Sequence, residues 1–361
     1  MATMRDVARL AGVSIATVSF TVNNTKPVSA PTRQKVEDAM VALGFRRNEL
    51  ARALASKQSR IIALLYPALQ HRFSGTAVNF FTSAARAASD LGYSLVLWPV
   101  SNDADQLSAL TAGGLVDGVM LMEVQMDDER VETLVASNTP FTLIGRTRHP
   151  EALTYVDIDF ENTIRESVAR LEELGHHKIA LVTGSVGENE LSGYGPVVRT
   201  SQTYSDVMRE RGREPVLISC DETPAAGREA AAELLAVAPD TTAIIVMNEY
   251  AAFGIVGGLV SHGVRVPEDM SVLSVSSSPE MAGMSDPQLT LMASPGVELG
   301  RLGAVALIDK LEGRSASIPQ TLLPCVYAGG LSTAPARTSA LTVVSPGSAA
   351  RTAGSTAILA V

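Results

Sequence analysis

Apolar residues follow two regimes along the chain. Before residue 60 they recur at helical spacing, and after it short apolar runs alternate with amphipathic segments. Residues 4–11 read as a short amphipathic helix with Val7, Ala8, Leu10 and Ala11 turned inward. Gly12 suits the left-handed turn that ends it, and Ser14 suits the N-cap of a second helix from Ile15 to about Asn23, with Val18 inward. Ser29 and Thr32 are candidate caps for a third helix that reaches about Leu43, carries Val36, Ala39 and Met40 at helical spacing, and stops at Gly44. Residues 48–56 allow one more short helix, too small to be stable alone.

From Ile61 the pattern predicts strands over 61–66, 94–98, 116–122, 141–144, 153–158, 178–183, 215–219, 242–247, 271–275 and 289–293. Helices are predicted over 75–91, 104–113, 128–137, 160–174, 197–211, 225–237, 249–262 and 296–312. Strands that are apolar throughout imply sheets covered on both faces, hence parallel, doubly wound βαβ units. About ten strands divided near residue 158 predict two α/β lobes, with a ligand cleft outside the carboxyl ends of the strands. Residues 336–361 are rich in Ser, Thr, Ala and Gly, with Arg337 and Arg351 their only charges. A disordered tail is expected there, without the heptads of a coiled coil.

Charge changes this picture. The net value is −9, yet residues 1–60 carry ten basic side chains against four acidic ones, a head of +6. The remaining 19 basic and 34 acidic residues make a body of −15. A basic head on an acidic body is expected where one end meets phosphates, although a charged face that is merely solvated gives the same asymmetry. With 361 residues, 46% of them hydrophobic, the chain has material for two or three compact units. The start of the chain has no signal-peptide pattern and no apolar run approaches the length of a membrane span. Cys220 and Cys325 are far apart. A cytoplasmic protein with two reduced thiols, and no membrane partner, is expected.

The stretch Asp6-Val7-Ala8-Arg9-Leu10-Ala11-Gly12-Val13-Ser14-Ile15-Ala16-Thr17-Val18-Ser19-Phe20-Thr21-Val22-Asn23 resembles the helix-turn-helix of the LacI/GalR family of transcriptional regulators. The likeness continues through Val28-Ser29-Ala30-Pro31-Thr32-Arg33, Leu43-Gly44-Phe45, Asn48 and Leu50-Ala51-Arg52-Ala53-Leu54. It implies a DNA-binding head over 1–47, a hinge over 48–60, an effector-binding and dimerisation domain over 61–335, and a homodimer on double-stranded operator DNA. The second helix would enter the major groove with Ser14, Ile15, Ala16, Thr17, Ser19, Phe20 and Asn23 toward the DNA. Thr3, Met4, Ser29, Thr32, Asn48 and Ala51 would also contact the DNA. Leu54 would wedge into the minor groove at the operator centre; its other reading is a linker residue packed on the body. Ile15 and Ala16 stand where many members carry polar residues, and Phe20 where they carry Arg. Those side chains reach thymine methyls but read no base by hydrogen bonds, so the operator does not transfer from relatives.

The body resembles the periplasmic-binding-protein-like effector domain over about residues 60–335, with landmarks at Glu173-Leu174-Gly175-His176-His177, Met247-Asn248-Glu249 and Val266-Pro267-Glu268-Asp269. The resemblance implies that Arg199 and Asn248 face a small-molecule effector, and it places Ser276 where relatives carry a ligand-binding Asp; the other reading of each of the three is a structural hydrogen-bonding role. Losing that carboxylate makes an ordinary sugar a poorer expectation, so a sugar-like but atypical effector is expected. Arg72, Phe73, Trp98 and Arg146 fall at strand ends on the same predicted cleft, with core packing the alternative for Trp98. The five histidines lack metal spacing, no catalytic triad or phosphate loop is present, and neither cofactor, metal nor enzymatic activity is expected. The competing reading is an α/β small-molecule-binding protein or enzyme without a DNA role.

Overall fold

The computed structural model describes residues 2–23, 26–45, 58–66, 75–99, 104–184, 193–314 and 317–338. The chain divides into two units, Met1–Ser59 and Arg60–Val361.

The first unit holds helices α1 (Met4–Ala11), α2 (Ile15–Asn23) and α3 (Ala30–Ala42). Thr3 caps α1 in a capping box: its hydroxyl accepts from the Asp6 amide, while the Asp6 carboxylate accepts from the Thr3 amide at 3.0 Å. Gly12 ends the helix at φ +65°, a left-handed value that a side chain would strain. Val7, Ala8, Val18, Val22, Val36 and Ala39 form the core of this unit. Leu10, expected on the inner face, is instead 55% exposed. Val7, Ala8 and Ala11 already fill the stripe that meets the other two helices, and Leu10 falls beside it.

The second unit contains two six-stranded sheets. In lobe 1 the strands are β1 (Ile61–Leu65), β2 (Ser94–Trp98), β3 (Gly118–Leu121), β4 (Phe141–Ile144) and β5 (Tyr155–Ile158). Its helices are α4 (Gly75–Asp90), α5 (Ala104–Ala112) and α6 (Glu129–Ala136). Lobe 2 follows with α7 (Phe160–Glu173), β6 (Ile179–Gly184), α8 (Gly195–Glu210), β7 (Val216–Cys220), α9 (Pro224–Val237) and β8 (Ala243–Val246). It continues with α10 (Glu249–Ser261), β9 (Ser271–Ser277), the short α11 (Pro279–Ala282) and β10 (Thr290–Ala293). Then α12 (Gly296–Leu311) and β11 (Gln320–Leu323) return to lobe 1, and β12 (Val326–Ala328) closes lobe 2.

The strand orders are β11-β5-β4-β3-β1-β2 and β12-β10-β9-β8-β6-β7. All neighbours are parallel except β10 and β12. In each sheet the first strand has its successor on one flank and the third strand on the other, so each has a switch point beside β1 or β6 where a crevice opens. The central strands are buried along their length, because helices cover both faces.

The crossing at residue 158 joins two further crossings, between β10 and α12 and between β11 and β12. Neither β11 nor β12 was expected from the apolar pattern, since both are short edge strands with exposed or half-buried residues. The chain also stays ordered past residue 335: the Ala336 amide donates to the Leu174 carbonyl at 2.8 Å and Arg337 donates to the carbonyls of Thr241 and Asp269. Of the tail expected over 336–361, residues 339–361 lie outside the described residues.

Candidate DNA-reading helix and interlobe cavity

The exposed start of α2 is set by its cap. The Ser14 hydroxyl accepts from the Thr17 amide at 3.0 Å and lies 2.9 Å from the Thr17 hydroxyl. Val18 and Val22 face the core, which turns Ser14, Ile15 and Ala16 outward, Ile15 at 46% exposure. Thr17, Ser19 and Phe20 are half-buried, and Lys26 places its ammonium 5.0 Å from the centre of the Phe20 ring. Thr3 and Ser29 are exposed, and Thr32 is half-buried with its hydroxyl 2.8 Å from that of Ser29. Met4 packs on the core of the unit. Asn48, Ala51 and Leu54 lie outside the described residues, as does the Asn23 side chain.

Between the lobes, at the carboxyl ends of both sets of strands, lies a cavity of about 190 Å³. Lobe 1 supplies Tyr66 after β1, Glu123 after β3, Asp157 of β5, and Thr76 and Phe80 of α4. Lobe 2 supplies Tyr194 before α8, Glu222 after β7, Glu249 and Tyr250 of α10, and Ser276 of β9. Glu249 is one bridge between the two walls. Its carboxylate accepts from the Gly75 amide at the start of α4 at 3.0 Å, from the Ser277 hydroxyl at 3.1 Å and from the Ser278 amide at 2.7 Å. Thr76 donates to the Ser276 carbonyl at 3.3 Å, and Ser276 itself holds φ +56°, a left-handed conformation uncommon for Ser.

A charged cluster lies behind Asp157. Arg146 donates to Asp157 at 3.0 Å and to Glu161 at 2.5 Å. Arg199, in the second turn of α8, is 8% exposed and reaches across from lobe 2. One of its amino groups donates to the carbonyls of Arg146 at 2.9 Å and Thr147 at 3.0 Å in lobe 1. Its Nη1 is buried without a hydrogen-bond partner among the described residues. Burial lowers the Arg199 pKa from its ordinary value, against the pull of Asp157. Burial also pushes the Asp157 carboxyl up to about 6, more than Arg199 and Arg146 lower it.

Comparison with known proteins decides what these two units are together. Residues 3–48 match the profile of bacterial regulatory proteins of the lacI family, and residues 168–333 match that of the periplasmic binding protein-like domain. Catabolite control protein A of Priestia megaterium is 30% identical over 320 residues, 85% of this chain and 92% of that protein. The HTH-type transcriptional regulator CelR of Thermobifida fusca is 30% identical over 322 residues, 87% of this chain and 93% of that one. The chain belongs to the LacI family. It is a DNA-binding transcriptional regulator, and the same architecture recurs in solved structures. A lac repressor dimer bound to operator and the anti-inducer ONPF aligns with a TM-score of 0.79 at 25% identity, over 92% of this chain and 99% of the other. A CelR–cellobiose complex aligns with a TM-score of 0.69 at 27% identity, over 92% and 100%.

In this LacI-family chain the residues expected at the effector site separate. Ser276 lines the cavity. Arg146 and Arg199 stand one layer back, and Arg199 ties the lobes together through backbone carbonyls instead of lining the wall. Asn248 caps α10, accepting from the Ala251 amide at 3.0 Å, and does not line the cavity. Trp98 packs with Ala63, Leu65 and Leu107 on the opposite side of β1, which is the core-packing alternative. Arg72 and Phe73 lie outside the described residues. Sequence reading missed Tyr66, Glu123, Asp157, Tyr194 and Glu222. Their signal was available: each follows or ends a predicted strand, or precedes a helix, at the cleft side of its lobe.

Proposed function

We propose that this LacI-family regulator acts as a homodimeric repressor whose hold on a palindromic operator is set by a small molecule bound between the lobes. The observation that carries this reading is the cavity at the carboxyl ends of both sheets, walled by each lobe and bridged by Glu249 and Arg199. A ligand that completes contacts to both walls favours one lobe arrangement by its differential affinity, which is the coupling that regulation needs. The CelR–cellobiose complex makes carbohydrates the first compounds to test. The exposed Ser14-Ile15-Ala16 face supports entry of α2 into the major groove, with Thr17, Ser19, Phe20 and Asn23 following and Thr3, Met4, Ser29, Thr32, Asn48 and Ala51 at the phosphates. Leu54 is assigned the minor-groove wedge. No catalytic step is assigned, since the relatives regulate transcription, and binding to bacterial operator DNA supports a cytoplasmic location.

The test is operator selection from random duplexes, followed by titration over a range of salt. Affinity should fall steeply with salt, and Leu54→Ala should weaken the selected site while sparing random DNA. Salt-independent binding, or equal loss on both DNAs, would overturn the respective claim.

A further inference from the structure

We propose that Arg60 is a positioning residue for operator binding: clamped by Tyr93, Asp117 and Glu312, it fixes the direction in which the chain leaves lobe 1 toward the DNA-binding unit. The inference rests on the reading of residues 48–60 as a hinge and goes beyond it by naming what holds the root of that hinge. Arg60 is the first residue of the second unit and immediately precedes β1. It holds φ +55°, a left-handed conformation uncommon for a residue with a side chain, so its surroundings and not local preference keep it there. Its backbone is held on two sides. The amide donates to the Asp117 carboxylate, just before β3, at 2.8 Å, and the carbonyl accepts from the Ser94 amide at the start of β2 at 2.8 Å.

The side chain is held as well. Its guanidinium lies 5.2 Å from the centre of the Tyr93 ring and 3.4 Å from a Glu312 oxygen. The Tyr93 hydroxyl donates to that same oxygen at 2.9 Å. Burial and the Glu312 hydrogen bond push the Tyr93 phenol up to about 12, so it stays a donor. Glu312 is the C-cap of α12, and its other oxygen lies 3.8 Å from Arg314. That helix is closely seated on lobe 1: a Cβ on Gly300 would collide with the Phe80 carbonyl of α4, and one on Gly303 with the Ile144 side chain. At its other end, about 24 Å away, the same helix puts Gly296 and Leu299 on the interlobe cavity. Partly exposed ion pairs and cation–π contacts each stabilise little, so the clamp acts chiefly by ordering. The direction of the hinge root is set when the lobe folds, and its ordering does not have to be repeated on the operator.

The experiment uses full-length protein and the operator selected from random duplexes, with versions whose half-sites stand one base pair closer or further apart. Each base pair moves a half-site by about 3.4 Å and turns it by about 35°. Wild type should prefer the selected spacing by about ten-fold, the scale of one mismatched position. Arg60→Ala and Glu312→Gln should each weaken binding to the selected spacing by about five-fold and narrow the preference, because an unclamped root adjusts to either spacing. Tyr93→Phe, which removes only the hydroxyl that holds Glu312, should narrow it by less. Arg60→Lys keeps a cation beside Glu312 and over the Tyr93 ring, and should restore most of the preference. Thermal unfolding of the same proteins separates positioning from stability. A preference that survives in Arg60→Ala, Glu312→Gln and Tyr93→Phe, whatever their melting temperatures, would overturn the clamp and leave the hinge in place. A wild type indifferent to spacing would overturn the reading of a hinged dimer on two half-sites, and the clamp with it.

Discussion

Asp157 illustrates at the residue scale how burial and partners compete. The residue is 4% exposed, and burial lifts its carboxyl to about 6 although Arg199 and Arg146 pull it down. A group raised in the folded state contributes stability that is fully present below its unfolded value, near 4, and lost as pH rises through about 6. Relative to wild type, Asp157→Asn should therefore gain stability between about pH 4 and pH 7, by up to roughly 3 kcal/mol. Urea unfolding of both proteins across that range measures the gain, and a constant difference between them would show that Asp157 does not titrate there. Arg199 shows what sequence could and could not carry. Its place beside the cleft was legible from the loop after β6. Its partners were not, because they are the backbone carbonyls of residues distant in sequence.

Elements were legible where local spacing decides them. The three head helices and the strands from β1 to β10 follow from apolar runs and caps, whereas β11 and β12 form only because an existing sheet edge receives them. The segment between β3 and α6 belongs to the second kind as well. It carries Glu123 into the cavity wall, and a buried ion pair holds it. Asp128 caps α6 and accepts from the Arg130 side chain at 2.9 and 2.7 Å, while Arg130 donates to the Met122 and Glu123 carbonyls. Removing one member of such a pair leaves a buried charge, so Arg130→Ala should cost about 3–5 kcal/mol in urea unfolding. It should also weaken whichever ligand binds between the lobes. A loss below about 1 kcal/mol would show that the segment holds its shape without the pair.

Across the whole effector unit, the lobes meet through backbone as much as through side chains. The Gly195 amide donates to the Val124 carbonyl at 3.0 Å, and a Cβ on Gly195 would come 3.1 Å from that carbonyl and 2.5 Å from Arg199 Nη1. Gly195→Ala should displace the Arg199 side chain and press on the Val124 carbonyl by a few tenths of an ångström, costing about 1 kcal/mol or more in urea unfolding. Unchanged stability would show that the approach relaxes freely. The three crossings have another consequence, in the order of synthesis. Lobe 1 starts first at β1, yet its cover helix α12, which packs on Met120 and Ile144, follows the five parallel strands of lobe 2 out of the ribosome. The nascent first lobe must therefore wait with an apolar face bare while the second assembles, which makes that face a transient chaperone substrate.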